Sequence, residues 1–388
     1  MSFKILTLNN IAVEGLRHLP REMYEVASEI GHPDAIMVRS ANMHEMEIPP
    51  SLRAIGRAGA GVNNIPVQEM SRRGIPVFNA PGANANAVKE LVIAALLLGA
   101  RNICHAWNYV RDLDGDDAAV SKLVEAGKKR YAGFELPGRT LGVIGLGAIG
   151  VEVANAAHQL GMRVIGFDPQ LTVQRAWQLS SGVEQAVSLD DLFARSDMIT
   201  PHVPLVDATR GLVNAQRLAL MEPGGILLNF SRGGIVDEAA VIDSLDAGHL
   251  GSYVCDFPSN QNRHHSKVTA LPHLGASTGE AEQNCAVMVA ENLREFLENG
   301  NIRHSVNFPE TMMPRTEGFR ITVSNLNVPN MVGQISTLLA QASLNIIDLL
   351  NKSRGEIAYT VVDVESEVPA ETLSAIASIN GVLNVRAI

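Results

Sequence analysis

At 388 residues the chain has room for two or three domains with full cores, and a composition 46% hydrophobic and 19% charged excludes disorder. The net charge of −10 argues against a general nucleic-acid or membrane-surface binder, because its mean field repels a phosphate backbone. Any anionic ligand must therefore be met by local arginines. Cys104, Cys255 and Cys285 show no CxxC or metal-ligand spacing and cannot all pair, so no metal is expected and a reducing cytoplasm is the natural compartment. The start, MSFKILTLNN, reads as a short strand rather than a signal peptide, and the longest apolar run, Leu91 to Leu98, is too short to span a bilayer.

In chain order, Phe3 to Leu8 predicts a strand, Ala12 to Leu19 a helix, and Ala35 to Val38, Leu52 to Arg57 and Val77 to Asn79 three more strands. This is an α/β domain with parallel strands. Its loops carry Arg39 and Ser40, then GRAGAGVNNI (Gly56 to Ile65), then NAPGANANAVKE (Asn79 to Glu90). In an open parallel sheet such loops face a ligand crevice, where Arg39, Arg57 and Asn84 would converge. The alternative is solvated arginines and a helix cap from Asn84 or Asn86. From Ala87 to His105 an apolar helix leads out of this domain, followed by a polar segment whose Lys128, Lys129 and Arg130 read as a solvated face.

Thr140 to Pro169 then reads as strand (Leu141 to Ile144), glycine turn (Gly145, Gly147, Gly150), helix to about Leu160, and a strand ending at Asp168. The glycines serve a tight turn, backbone approach to a pyrophosphate, and close helix–strand packing. The helix start, at Ala148 and Ile149, offers free N–H groups and a positive dipole end to phosphates. Asp168 is placed to accept from a ribose diol and to repel a 2′-phosphate, which favours NAD over NADP. Further on, Leu189 to Ala194, Leu212 to Leu220 and Glu238 to Ala247 predict helices; Met198 to Thr200, Gly225 to Asn229, Tyr253 to Asp256 and Val268 to Ala270 predict strands. Together they complete a doubly wound sheet. A helix from Glu280 to Asn299 leads back to the first domain, so the nucleotide domain (101–282) is inserted in a substrate domain (1–100 and 283–310), with a third domain at 318–388.

Two strand ends carry chemistry. NFSRGGIVDE puts Arg232 at one, and LPHLGAST puts His273 at the other. Oxidising a 2-hydroxy acid needs a base for the hydroxyl proton and a cation for the carboxylate. Histidine titrates near working pH, and arginine's planar fork grips a carboxylate with two bonds. His202, bracketed by Pro201 and Pro204, either lines the cofactor site or shapes a turn.

GRAGAGVNN, NAPGANANAVKEL, GLGAIG, HVPLVDATRGLV, NFSRGGIVDE and PHLGAST, in this order over about the first 305 residues, resemble the D-2-hydroxyacid dehydrogenase family. The resemblance implies a Rossmann NAD-binding domain inserted in a flavodoxin-like substrate domain, and dimers formed through the nucleotide domains. It implies Arg232 and His273 as substrate clamp and acid/base, with His202, Pro204, Ser231, Asp256 and Gly275 at the cofactor. The family also places a glutamate, in a DVFxxEP-like stretch, behind the histidine. Here the stretch is YVCDFPSNQNRHH, and no glutamate occurs between Ala239 and Gly279. Asn260 or Gln261 stands at its place, depending on the alignment, and Asp256, His264 or His265 could compensate. A weaker or differently oriented base is expected.

Phe319 to Ile388 reads as βαββαβ and resembles an ACT domain, a ferredoxin-like α+β ligand-sensing module, with NVPN (Asn327 to Asn330) at its turn and LNI (Leu344 to Ile346) following. This resemblance implies an amino-acid effector, serine, near Asn327 and Asn345. Combined with the dehydrogenase motifs it implies a phosphorylated 2-hydroxy acid as substrate, with Arg39, Ser40 and Arg57 on its phosphate, in a homodimer or homotetramer.

Overall fold

The computed structural model describes residues 2–388. Residues up to Asn84 together with Gly279–Ile388 form one compact unit, and Ala85–Thr278 form a second.

In the first unit, β1 (Phe3–Leu8), β2 (Tyr24–Ala27), β3 (Ala35–Val38), β4 (Ala54–Arg57) and β5 (Val77–Phe78) make an all-parallel sheet of order β2-β1-β3-β4-β5. That is the flavodoxin-like order, with its switch point between β1 and β3. β3 is buried at every position, as a central parallel strand covered on both faces must be. The returning helix Gly279–Asn299 packs on β4, where a side chain at Gly56 would run into Val289 and Leu293.

The second unit holds β6 (Thr140–Ile144), β7 (Arg163–Phe167), β8 (Val183–Gln185), β9 (Met198–Pro201), β10 (Gly225–Asn229), β11 (Leu250–Cys255) and β12 (Val268–Ala270). They pair in parallel in the order β12-β11-β10-β9-β6-β7-β8. The chain leaves β6 for β7 on one side and returns to β9 on the other, so the crevice lies at the C-terminal ends of β6 and β9.

The C-terminal module, β13 (Phe319–Leu326), β14 (Ile346–Arg354), β15 (Ile357–Val364) and β16 (Val382–Ala387), is antiparallel in the order β14-β15-β13-β16. Period-2 alternation sends Ile321, Val323, Val362 and Val364 into a core with the helices Met331–Gln341 and Ala370–Ala377. The opposite face sends Tyr359 and Val361 into the core of the first sheet beside Phe296 and Phe308. Cross-strand partners Arg320 and Asp363 are fully buried between the two cores. Arg320 Nε and Nη2 donate to the two Asp363 oxygens at 2.7 and 2.8 Å, and its remaining donors reach the carbonyls of Asn299, Met313 and Pro314. Every donor of the fork has an acceptor, which is the condition for burying such a pair.

Several expectations need correction. The helix predicted over Ala87–His105 is two helices, Ala85–Arg101 and Ile103–Arg111, broken at Asn102, whose φ of 51° is left-handed. The first belongs to the nucleotide unit rather than the substrate domain, because its Gly99 sits against Ile226 and Val254. The division falls at 84/85 and 278/279, not 100/101 and 282/283. The 318–388 module clusters with the first unit instead of standing apart. The Leu212–Leu220 helix shortens to Ala215–Leu218, capped by Asn214. Edge strands β2 and β8 were not anticipated. Among the described residues no helix is long and apolar enough to cross a membrane.

Burial pushes the Asp363 carboxyl up, but its hydrogen bonds to Arg320 and Thr316 outweigh that and hold it below the usual carboxylate value. Asp363→Ala, which strands Arg320, is expected to cost about 3–5 kcal/mol in urea denaturation, and Arg320→Met with Asp363→Leu to cost less. Because the folded value is depressed, the pair's contribution is present above the unfolded carboxylate range near ~3.9 and is lost as pH falls through the folded value.

Candidate active site

The turn after β6 is shaped for a phosphate. Gly145 has φ 87° and donates its N–H to the Phe167 carbonyl at 2.9 Å. Gly147 caps the helix Ala148–Gln159 with no side chain on its free N–H groups and open space where a Cβ would stand. A Cβ on Gly150 would collide with the Gly145 carbonyl oxygen. Asp168, just past β7, accepts from Leu146 N–H at 2.9 Å and Gln170 N–H at 2.8 Å, one bond per oxygen. Its carboxylate therefore braces the glycine turn and keeps lone pairs for a diol. Beside it lies a cavity of about 390 Å³ lined by Leu146, Asp168, Pro169, Leu171, Leu179 and Val183. This cradle fits a dinucleotide.

His202, after β9, donates its N–H to the Ile144 carbonyl at 2.6 Å, and its Nε2 pairs with Thr200 Oγ1 at 3.1 Å. Burial pushes the imidazole down to about 4, so it is neutral near pH 7, with Nδ1 buried and without a partner. It is both part of the turn and a polar group facing inward. Pro204 accepts from Thr209 Oγ1 at 2.5 Å in the loop that follows.

At the end of β10, buried Asn229 accepts from Ser231 N–H and Oγ and donates to the Arg232 carbonyl at 3.0 Å. This Asx-type loop aims Arg232. Arg232 spends Nη1 on the Ser231 carbonyl at 2.7 Å, and its other donors have no partner among the described residues. At the end of β11, buried Asp256 accepts from Leu274 N–H at 2.8 Å and Gly275 N–H at 2.7 Å. These bonds hold the loop in which His273 sits at φ 55°, a left-handed conformation that a non-glycine residue adopts only when its surroundings impose it. The exposed imidazole has no hydrogen-bonded or ionic partner among the described residues; its neighbour is the Phe257 ring, 5.2 Å between centroids.

None of the substitutes considered for the family's glutamate bonds to His273. Asn260 and Gln261 are exposed, His265 pairs with Asp246 at 3.1 Å, and Asp256 is committed to the two amides. His264 is exposed as well. Glu238 reaches from its helix start to Ser259 and Asn262 instead. Asn229, Phe257, Glu238 and Asn262 were not singled out from the sequence. For Asn229 the signal was there, an Asn two residues before a Ser at a strand end.

In the first unit, Asn9 at the end of β1 accepts from the N–H groups of Ser40 and Ala41 at 3.1 and 2.6 Å, tying together the switch-point loops. Arg57 donates Nε to the Arg39 carbonyl at 3.0 Å. Arg39 is ion-paired with Glu282 of the returning helix, so its charge is already met within the unit. Asn84 Oδ1 is buried without a partner and so does not cap the Ala85 helix. In the C-terminal module Asn327 donates to the Gly355 carbonyl at 3.1 Å and Asn345 to Glu365 at 2.8 Å. Asn330 takes the turn's left-handed position at φ 65° in place of a glycine.

Residues 93–275 match the model of the D-isomer specific 2-hydroxyacid dehydrogenase NAD binding domain. The chain is 33% identical to the D-3-phosphoglycerate dehydrogenase of Haemophilus influenzae over 353 residues, 88% of this chain and 82% of that one. It is 34% identical to the protein of that name from Methanocaldococcus jannaschii over 88% of this chain, but spans only 63% of that relative's length. The crystal structure of NAD+-bound 3-phosphoglycerate dehydrogenase from Entamoeba histolytica superposes with a TM-score of 0.62 at 26% identity, covering 79% of this chain and 99% of the other.

Gly150→Ala forces the turn and the helix apart. The variant is expected to bind NADH roughly tenfold more weakly or worse, as read by isothermal titration.

Proposed function

The chain belongs to the D-2-hydroxyacid dehydrogenase family, and we propose that it oxidises D-3-phosphoglycerate to 3-phosphohydroxypyruvate with NAD, the first step of phosphorylated L-serine biosynthesis. The observation that carries this reading is Arg232, with unspent donors, and His273, clamped in a left-handed loop, at the ends of β10 and β12 in a sheet whose β6 turn fits a dinucleotide.

In this reading Arg232 grips the substrate carboxylate bidentately. His273 takes the hydroxyl proton during oxidation and returns it during reduction. A bound nicotinamide supplies the hydride acceptor. Asp168 accepts from the ribose diol, and His202, Pro204, Ser231, Asp256 and Gly275 line the cofactor. Arg39, Ser40, Arg57 and Asn84 serve the substrate, the arginines its phosphate. Arg39 would exchange Glu282 for that phosphate. A second reading, a hydroxypyruvate or glyoxylate reductase, is favoured by that same ion pair, since a neutralised arginine is a weaker phosphate ligand. Serine is proposed as the effector at Asn327 and Asn345, and the cytoplasm as the compartment, in keeping with three free cysteines.

For assembly we favour a homodimer or homotetramer through the helix Ile103–Arg111. It buries none of its residues within the chain and exposes Ile103 at 45%, Trp107 at 58% and Val110 at 49%.

Following NADH with 3-phosphoglycerate, 3-phosphohydroxypyruvate, hydroxypyruvate and glyoxylate in parallel is expected to show turnover confined to the phosphorylated pair. Equal turnover of the unphosphorylated acids selects the reductase, and none at all leaves a non-catalytic NAD-binding regulator. His273→Asn should lower kcat by about 10²–10⁴ with NADH binding retained. Trp107→Glu is expected to release monomers in light-scattering chromatography.

A further inference from the structure

A base on an exposed loop needs its ring held, and no carboxylate holds His273. The main chain is pinned: Asp256 fixes the two amides that follow it, and His273 N–H donates to the Leu271 carbonyl at 3.0 Å. What remains is rotation of the side chain. The aromatic face beside it belongs to Phe257, with planes tilted by 55° at 5.2 Å, within the range of attractive ring pairs.

Phe257 is itself anchored. Its carbonyl accepts from Asn262 Nδ2 at 3.0 Å and from Cys255 Sγ at 3.8 Å. Asn262 is fully buried, accepts from Ser259 N–H at 2.9 Å and donates to Glu238, which also accepts from Ser259 Oγ at 2.8 Å. Phe257 also lies near Gly233, next to Arg232, where an added Cβ would come within 3.7 Å of the Phe257 Cβ. Phe257 thus neighbours both the loop of the clamp and the loop of the base, and the carboxylate in this network, Glu238, ties the loop rather than the imidazole.

We infer that Phe257, anchored through Asn262 and Ser259 to Glu238, is the positioning residue for His273 in place of an acid partner. The inference rests on the dehydrogenase reading above. A ring contact orients the imidazole without bringing charge to it, and orientation alone is a rate term. Glu238 therefore acts at a distance, through the conformation of residues 256–262.

Phe257→Leu preserves apolar volume and removes the planar face. It is expected to lower kcat roughly tenfold while the KM for 3-phosphoglycerate and NADH affinity stay within about twofold, and Phe257→Tyr should restore kcat. Independently of turnover, the His273 ring resonances of ¹³C-histidine-labelled full-length protein, assigned by their loss in His273→Asn, should shift in Phe257→Leu and in Glu238→Gln and return in Phe257→Tyr. Unmoved His273 resonances in Phe257→Leu, or an unchanged kcat, overturn the inference. A wild-type protein that turns over none of the four acids retires the dehydrogenase reading instead, and the resonances still decide the contact.

Discussion

The carboxylate of Asp256 is the constraint on which the geometry of the second unit depends. It sits where β11 runs out, buried, and both its oxygens accept amides from the loop after β12. Hydrogen bonds to a charged group contribute on the order of 1.5–3 kcal/mol each, enough to hold His273 in a left-handed conformation costing about 1–3 kcal/mol. Without that clamp the loop would relax and the imidazole would lose its place relative to Arg232. The neighbouring strand end uses the same device with a neutral group, Asn229 bracketing Ser231 and Arg232. Each loop is shaped by a buried polar side chain, Asn229 from the end of its own strand and Asp256 from the end of the neighbouring one.

The first unit is organised by a different buried charge. Arg320 and Asp363 join the third sheet to the last turn of the returning helix and to the segment after it. Tyr359 Oη adds a bond to the Gly300 carbonyl at 2.7 Å, and Arg386 donates to the Phe296 and Leu297 carbonyls while stacking on the Phe296 ring. Burial pulls the Arg386 guanidinium down to about 10. The central strands β13 and β15, which in isolation would show one face to water, are here covered on both. The helix carrying Glu282 at its start ends against the small domain, so one rigid element links Arg39 to the module that resembles a ligand sensor.

Much of this was legible beforehand. The parallel strands announce themselves as short apolar runs, and the glycine spacing after Leu141–Ile144 corresponds to three separate steric needs, one of which the Gly150–Gly145 clash makes concrete. The edges were less legible. β2 and β8, four and three residues long, are too brief for any period to register, and the break at Asn102 depends on a residue that tolerates φ > 0 without advertising it. An apolar helix does not say which sheet it will pack on, so the boundary at Asn84/Ala85 is not encoded in the Ala85–Arg101 pattern.

From the sequence alone came the doubly wound architecture, the inserted order of the nucleotide unit, the βαββαβ tail, and the placement of Arg232 and His273 just past strand ends, since each is set by local periodicity or by a motif at a strand end. The absence of a glutamate behind His273 was likewise visible as a missing letter. Only the tertiary structure shows which side chain lies beside that imidazole. Phe257 meets His273 across 16 positions of chain, and Asn262 meets Glu238 across 24. Arg320 meets Asp363 across 43, and Arg39 meets Glu282 across 243. Contacts of that span depend on strand order and helix packing, which bring distant residues together irrespective of their neighbours in the chain, so no local pattern encodes them.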